Sequence, residues 1–581
     1  MNAASASAPL APRAPTRPKQ AAVSPPPEAG AGITADRRSN RAAPIDPLSD
    51  RATLNLIRRT LCPQHLGDKA RDAQPAIQDL LPPLTSRNDV DLQLYAFLAI
   101  IMRDFVQSWY GKITADETFV PEILRIIAHC TTALEQRFRK LDLESLLLDE
   151  MPELLDRHAT ARRVASRSAF PPSVDADPRE VYHSIFPLPF LSPVPRLGNS
   201  TAMELQRQNE ATYRQLLVQA VLAILLPTED LENPCLTALV EQILSELIIG
   251  NVIAGKASQP WLLYEAICIS ARSLGEQKAR TKARVVTGTD QPSPSPSDLG
   301  QDAGKSPKWT VQGVFVLIIH LGILFFNAVR FMAGTLADSI SLPPRTALHL
   351  DEEAADSIDD DKRRPLRTDT DLGRAKVPVL SFKLWSCVGN LIELEERKPW
   401  LGGFISLLQT AAINGPWRIA GLDGPLDRLL SHHIQSLFDS SHLPPILRSL
   451  RGALFPNNSL GTSTLVPPQS EEELLALRRR AAGAILGLLP ASVARVYFGR
   501  RLWRLGGLFD PGEDAGSSSA AADEQDGDER ILDELERLLD VVGDEYCNKH
   551  LMYSALELLL VRLMPELSEK GVVELWDERL G

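Results

Sequence analysis

The sequence predicts an all-α protein with two helical regions, and three observations support this fold class. Apolar residues make up 44% of the 581 residues and charged residues 23%, which is the composition of a folded chain. Leucine-rich stretches with helical spacing of the apolar residues recur along most of the chain. Stretches with the period-two alternation typical of strands are scarce. The length exceeds the usual size of one domain, so more than one folded unit is expected.

Residues 1–50 are rich in Ala, Pro and Ser and lack the apolar core of a signal peptide, so we expect a disordered tail. The net charge of −12 gives the whole chain no attraction to nucleic acid. The six cysteines are widely spread and form no CxxC pair. This usage indicates reduced thiols in a cytosol-facing protein rather than disulfides or a metal site.

The first helical region is predicted at residues 54–274. Within 89–110 the apolar residues recur at helical spacing. Pro234 begins a long apolar helix that we expect to end near Gly250. Residues 277–308 are rich in Pro and Ser and predict a flexible linker.

Residues 309–337 are the most apolar segment and predict a membrane-associated helix. No formal charge occurs from 310 to 329, and about 20 apolar residues suffice to span a bilayer. Its small and polar residues recur at every seventh position and therefore form one narrow stripe: Gly313, His320, Asn327 and Gly334. The expected membrane or lipid contacts are its large apolar side chains: Val314, Phe315, Leu317, Ile318, Leu321, Leu324, Phe325 and Phe326.

The second helical region is predicted at residues 377–581, after an acidic linker at 338–376. Its helical stretches are expected near 382–395, 426–438, 445–450, 471–489, 531–542 and 549–563. Residues 511–528 are rich in Gly, Ser, Ala and Asp and predict a disordered loop.

The sequence contains no convincing catalytic, cofactor or metal-binding pattern. HExxH, GxSxG and the Rossmann fingerprint do not occur. Residues 304–306 (GKS) resemble the end of a phosphate-binding loop, but Leu299 stands where that loop requires its first Gly. His432 and His433 point in different directions on a helix, which favours a solvated role over a metal site. We therefore expect a protein that is not an enzyme and needs no cofactor.

Residues 103–110 (RDFVQSWY) resemble the opening signature of the PXA domain of sorting-nexin-like proteins. The resemblance continues at 154–158 (LLDRH) and at the junction 225–234, which precedes the long apolar helix. Together these motifs cover most of 54–274, which is identified by this resemblance as a PXA domain.

The C-terminal region resembles the Nexin C domain of the same proteins. Residues 455–458 (FPNN) take the place of the family's Trp-Pro-Gly-Gly-like turn, and 548–553 (NKHLMY) run into a leucine-rich helix. The two domains stand in the order typical of the family. The family's PX and RGS domains are not visible between 275 and 376, so no phosphoinositide specificity is implied.

The resemblance implies a membrane-attached organiser of endosomes, vacuoles or the endoplasmic reticulum, with the two domains packed around an apolar cavity. We expect a non-enzymatic lipid-binding or lipid-transfer protein on the cytosolic face of such a membrane, with helix faces at 239–253 and 555–563 as groove walls. Membrane lipids are the expected partners, and nucleic acid is not. The alternative is a tether or scaffold that binds proteins through its helical surfaces.

The placement of residues 311–329 leaves two topologies open. A single crossing fits the basic residues before the segment and the acidic residues after it. It would, however, put the two domains on opposite sides of the membrane. A helix in the membrane interface or along the cavity would leave them together.

Overall fold

The structure is a computed structural model in which ten ranges of the chain are described, together with scattered positions from 322 to 345. The ranges are 48–62, 77–114, 119–167, 177–196, 199–287, 376–416, 418–438, 440–459, 466–498 and 520–581. Within them the regular secondary structure is entirely helical. The predicted all-α class is therefore confirmed.

The N-terminal region, residues 48–287, begins with helices that pack around Ile57, Tyr95 and Leu124. Its described α-helices are α1 (Asp50–Leu61), α2 (Ile77–Leu80), α3 (Asn88–Ile101), α4 (Ser108–Ile113), α5 (Phe119–Arg139), α6 (Leu143–Ser145), α7 (Met151–Ser166), α8 (Pro178–Ile185), α9 (Ser200–Leu225), α10 (Thr228–Leu231), α11 (Pro234–Gln242) and α12 (Pro260–Thr287). Three π-helical stretches follow α3, α6 and α11 without a break: Met102–Gln107, Leu146–Glu150 and Ile243–Ala257. A 3-10 turn lies at Pro189–Leu191.

The C-terminal region, residues 376–581, is also helical. Its described α-helices are α13 (Lys383–Leu391), α14 (Leu394–Arg397), α15 (Pro399–Asn414), α16 (Pro425–Leu437), α17 (Leu443–Leu454), α18 (Glu471–Leu488), α19 (Ala491–Phe498), α20 (Ala520–Leu538), α21 (Glu545–Leu563), α22 (Glu566–Glu569) and α23 (Val572–Leu580). Short 3-10 turns lie at Val379–Ser381, Ser440–His442, Pro456–Asn458 and Leu539–Val542.

Side-chain caps fix where the two most informative helices begin. The Asn233 side chain accepts hydrogen bonds from the backbone N–H groups of Cys235 and Leu236, and Pro234 occupies the first turn of α11. The Asp544 side chain likewise accepts from the backbone N–H of Cys547 at the start of α21. These local signals set the register in which α11 and α21 present their side chains.

The two regions share hydrophobic cores. Tyr553 of α21 lies in one cluster with Leu222 of α9 and Ile249. Tyr264 of α12 lies in a second cluster with Leu477 of α18. Burying large apolar side chains of this kind is worth about 1.5–3 kcal/mol each. The expected packing of the two regions against each other is confirmed.

Four segments differ from the sequence-based expectations. Helix α12 continues to Thr287, because the start of the predicted linker contains good helix formers, and the long apolar helix ends at Ala257 rather than near Gly250. Helix α20 begins at Ala520, inside the predicted loop 511–528, where alanines and first-turn acids favour a helix. Helix α15 was not predicted at all.

Candidate functional site

The helix formed by α11 and the π-stretch that follows it, residues 234–257, is the central element of the candidate site. Among the described residues it is the one helix long and apolar enough to cross a membrane. In its π-helical part, hydrogen bonds from i to i+5 align side chains four or five residues apart. The inner face accordingly buries Ser245, Ile249 and Ala254.

The outer face of this helix is exposed and mainly apolar, with Gln242 and Asn251 as its exposed polar side chains. None of the exposed residues from 235 to 252 carries a charge. The large apolar side chains on this face, which we call the 239–252 face, are Leu239, Ile243, Leu247, Ile248 and Val252. A surface helix of a soluble protein normally turns such a stripe towards the core. We therefore expect this face to contact an apolar partner.

A buried arginine holds the inner side of the helix. Arg214 of α9 lies 3.1 Å from Glu246 and donates a 3.1 Å hydrogen bond to the carbonyl oxygen of Ser245. It also pairs with Glu210, one turn earlier on α9, at 3.2 Å. Gly250 makes this approach possible, because a Cβ there would lie 3.2 Å from Arg214 Nε. The helix is thus fixed on one side and open on the other.

The same arginine leads to α21 through a buried tyrosine. The Tyr553 hydroxyl donates a 2.8 Å hydrogen bond to Glu210. Its ring packs edge-on against Phe190, which stacks on Tyr213 with ring centroids 3.6 Å apart. Burial raises the pKa of Tyr553, so its hydroxyl stays protonated and remains a donor. Residues of both regions therefore support the helix that carries the 239–252 face.

Three histidines lie at the contact between the regions, which we call the histidine seam: His158, His183 and His550. His550 Nδ1 lies 3.0 Å from the carbonyl oxygen of Tyr546, which can only accept, so Nδ1 carries the proton. In the neutral ring Nε2 then accepts from His183 Nδ1, at 3.0 Å. His183 Nε2 in turn accepts from the Ser192 hydroxyl, at 3.0 Å.

Burial is the main cause of the protonation state at this seam. It lowers the pKa of His158 and of His550 to about 4, and it also lowers the pKa of His183. His158 Nε2 donates to the carbonyl oxygen of Val541 at 3.0 Å, which joins α7 to the turn before α21. The three imidazoles are neutral at physiological pH, and their hydrogen bonds connect the two regions.

The Ser192–His183 pair resembles half of a catalytic triad, but its chemistry favours a structural role. A triad needs a third group that stabilises the imidazolium formed when the serine loses its proton. The third group here is the neutral imidazole of His550, and the lowered pKa of His183 makes it a weak base. Within the described residues, no group of three or more His, Cys, Asp or Glu is placed to hold a metal ion.

Ion pairs reinforce the contact between the two regions. Arg562 of α21 donates to both carboxylate oxygens of Glu150, at 2.6 and 2.8 Å. Arg137 of α5 forms an equivalent double contact with Glu566, at 2.8 and 2.9 Å. Two-pronged arginine–carboxylate contacts fix orientation as well as distance.

A buried charge cluster joins the segment after the predicted membrane helix to both regions. Arg345 lies 3.0 Å from Glu144, which follows α5, and 3.0 Å from Asp427 of α16. Asp427 also accepts the backbone N–H of Val379 at 2.8 Å, and Ser431 donates to Glu144 at 2.9 Å. Arg345 itself is therefore anchored in the folded body.

Seven of the eight predicted membrane-contact residues lie outside the described residues: Val314, Phe315, Leu317, Ile318, Leu321, Leu324 and Phe325. The eighth, Phe326, is helical and 66% exposed. The neighbouring Ile323 is also helical and exposed. Assignment of these side chains to membrane contact stays a prediction.

Of the two predicted groove walls, 239–253 exposes five large apolar side chains, whereas 555–563 is mostly half-buried. Leu556 packs against the cluster that contains Tyr553, and Glu557 accepts a hydrogen bond from Tyr213. The supporting residues Arg214 and His183 were missed, because Glu246 and His550, which fix their roles, lie far away in sequence. The local signal for Arg214 was the spacing of four residues from Glu210 on one face of α9.

Comparison with known proteins identifies part of the N-terminal region. Residues 87–269 match the family model of the PXA domain. The chain is 23% identical to "PXA domain protein 1" of Schizosaccharomyces pombe over 41% of this chain and 42% of that protein. It is 30% identical to "Sorting nexin-14" of Danio rerio over 12% of this chain and 7% of that protein.

The matched segments thus span less than half the length of these relatives. No solved structure shows a significant match to this chain. The resemblance inferred from residues 103–110 and the motifs that follow them is confirmed by the match at 87–269.

Proposed function

We propose that this protein, which carries a PXA domain in residues 87–269, binds membrane lipids non-enzymatically and acts in the organisation and trafficking of an intracellular membrane. Residues 377–581 are proposed to form a Nexin C-like domain that completes the lipid-binding body. The 239–252 face is the proposed contact for acyl chains.

The observation that carries the proposal is the contrast between the two sides of the 234–257 helix. Its inner side is fixed by Arg214, Glu246 and the Tyr553 network. Its outer side exposes large apolar residues from 239 to 252, and no exposed residue from 235 to 252 carries a charge. Covering such an apolar surface with hydrocarbon removes it from water, which is thermodynamically favourable.

The free energy of burying apolar surface favours the binding of an acyl chain at this face. Each methylene of an acyl chain that leaves water contributes about 0.8 kcal/mol. Full burial of a Leu or Ile side chain contributes about 1.5–3 kcal/mol. Acyl carbons that pack against Ile243, Leu247 and Val252 stay shielded from water, which offsets the hydrocarbon contacts that a lipid loses when it leaves the bilayer.

The shared cores also bear on the topology of residues 311–329. A single crossing would place residues 48–287 and 376–581 on opposite sides of a membrane, which is incompatible with one core that contains both Leu222 and Tyr553. We therefore favour a segment that lies in the membrane interface or along the lipid-binding face.

The proposed location is the cytosolic side of an organelle membrane. The six cysteines are free thiols, and four of them are buried. Free thiols are typical of a reducing compartment. Burial raises the pKa of Cys547, which makes its thiol a poor nucleophile and supports a packing role.

The test is the lipid content of the full-length protein purified without detergent. Organic extraction followed by mass spectrometry is expected to release phospholipid in a reproducible molar ratio to protein. A protein that carries no lipid, and that captures none from vesicles of phosphatidylcholine and phosphatidylserine, would contradict the proposal.

A further inference from the structure

Helix α15, Pro399–Asn414, carries an apolar stripe on its outward side. The stripe consists of Trp400, Phe404, Leu407, Leu408 and Ala411, which follow one another at helical spacing. Trp400 and Leu407 are 68% and 67% exposed, and no described residue of the helix is buried. The stripe therefore faces away from the protein body.

The opposite side of α15 attaches the helix to the fold. Gln409 Nε2 donates a 2.5 Å hydrogen bond to the carbonyl oxygen of Leu380. The helix packs against α14 and against the 3-10 turn at Val379–Ser381. This attachment fixes which side of α15 points outward.

Cations at the two ends of α15 favour an anionic lipid surface as its partner. From residue 397 to residue 422 the sequence contains three cations and no acid, and the acids next to this stretch are Glu395, Glu396 and Asp423. Arg397 pairs with Glu393 and Glu534. Lys398 and Arg418 stand at the two ends of the apolar stretch, with Trp400 directly after the first cation. Aromatic and basic residues occupy these positions in helices at a bilayer surface.

We propose that α15 lies in the surface of an anionic bilayer, with the stripe from Trp400 to Ala411 among the acyl chains and Lys398 and Arg418 at the headgroups. A helix of this length extends for about 24 Å, which is shorter than the hydrocarbon core of about 30 Å, so it lies in the membrane plane. Apart from the indole N–H of Trp400, which suits the headgroup level of a bilayer, the stripe has no hydrogen-bonding group, whereas protein interfaces contain such groups regularly.

This inference rests on the proposed membrane function and adds a docking element that is separate from the 239–252 face and from residues 311–329. The test must therefore detect contact of α15 with the bilayer, because pelleting of the whole chain with membranes could result from the other two elements. A fluorophore attached at position 407 meets this need.

The experiment uses the full-length chain with Cys235→Ser and Leu407→Cys. Cys235 is the exposed cysteine among the six, so its removal directs a thiol-reactive, polarity-sensitive dye to position 407. The Cys235→Ser chain alone gives the background labelling. The matched control is Cys235→Ser with Val573→Cys, because Val573 is equally exposed on α23.

With vesicles that contain phosphatidylserine, the dye at 407 is expected to brighten several-fold and shift to shorter wavelength, while the dye at 573 stays unchanged. Lys398→Gln with Arg418→Gln should reduce the preference for anionic over neutral vesicles. A chain that pellets with vesicles without a response at 407 would overturn the proposal. So would a response at 407 that depends on protein concentration and not on vesicles, since that result indicates a second copy as the partner.

Failure of this proposal and failure of the proposed function are distinguishable. If α15 does not dock, the full-length protein still releases lipid on extraction, while the fluorescence of the dye at position 407 does not change with vesicles. If lipid binding is wrong but α15 docks, position 407 responds and the extract is empty.

Discussion

His183 of α8 and His550 of α21 share a 3.0 Å hydrogen bond across 367 residues of sequence. The bond needs Nε2 of His550 to be unprotonated, because protonation there would leave this nitrogen without the electron pair that accepts the N–H of His183. It therefore couples the contact between the two regions to pH.

The first prediction is a loss of stability in mild acid. The pKa of His158 and of His550 is about 4 in the folded protein, against about 6.5 in the unfolded chain. Between these values the unfolded chain binds more protons, so the free energy of unfolding falls as the pH falls from about 6.5 to 4. Each histidine accounts for roughly 2 kcal/mol between pH 7 and pH 5.

Urea unfolding at pH 7 and pH 5 measures this effect. Asp544, Arg179 and Arg162 surround the seam and contribute to the total, so the informative quantity is the difference between variants. His158→Gln should be less stable at pH 7 and should show a smaller pH dependence. An unchanged pH dependence in this variant would contradict the assignment.

The second prediction concerns the tyrosine that supports the 239–252 face. Tyr553→Phe removes the hydrogen bond to the buried Glu210 and should lower the free energy of unfolding by about 1–3 kcal/mol. Tyr553→Ala also removes the ring from the core and should cost about 3–5 kcal/mol. Chemical denaturation measures both, with Val573→Ala as an exposed control. Equal, small effects of both variants would show that α21 is not part of the common core.

The third prediction concerns the buried charge cluster. Asp427→Asn leaves Arg345 with half of its counter-charge in a buried site and should cost about 3–5 kcal/mol. The matched control is Glu204→Gln, which breaks an exposed pair with Arg207 and should cost less than about 1 kcal/mol. If the two variants are equally stable, Arg345 is not anchored as described.

The fourth prediction concerns lipid capture by the 239–252 face. Ile243→Asn with Leu247→Asn should sharply lower the lipid recovered from the purified protein, with little change in melting temperature, because both side chains are already exposed. Met203→Ser with Leu205→Ser removes similarly exposed apolar side chains from α9 and serves as the control. Equal lipid recovery from both variants would show that lipid binds at a surface other than the 239–252 face.

Local patterns predicted the fold class and the start of the apolar helix at Pro234, because apolar spacing and the Asn233-Pro234 start lie in neighbouring residues. The end of this helix was predicted near Gly250 and lies at Ala257. The same patterns missed α15. Its sequence combines Pro399 with two adjacent glycines, and apolar residues lie on all sides of the helix, so neither a polar face nor a side-chain cap marked it. Its helix is apparent only once the attachment of Gln409 to Leu380 is known.

The contact between the regions was predictable only through the family resemblance. His550 and Tyr553 lie in a motif that suggested a domain, but no local signal pairs them with His183 or Glu210. Such pairs are set by tertiary packing, which residue spacing does not encode. The membrane segment shows the converse case, since its composition predicts lipid contact while its side chains from 314 to 321 lie outside the described residues.

The most direct test of the lipid-binding account is photocrosslinking of the full-length protein with a phospholipid that carries a diazirine in its acyl chain, followed by peptide mass spectrometry. The account predicts adducts concentrated between residues 239 and 252, which disappear in the Ile243→Asn, Leu247→Asn variant. Adducts found only in other parts of the chain, or a protein that binds partner proteins but forms no lipid adduct, would contradict it.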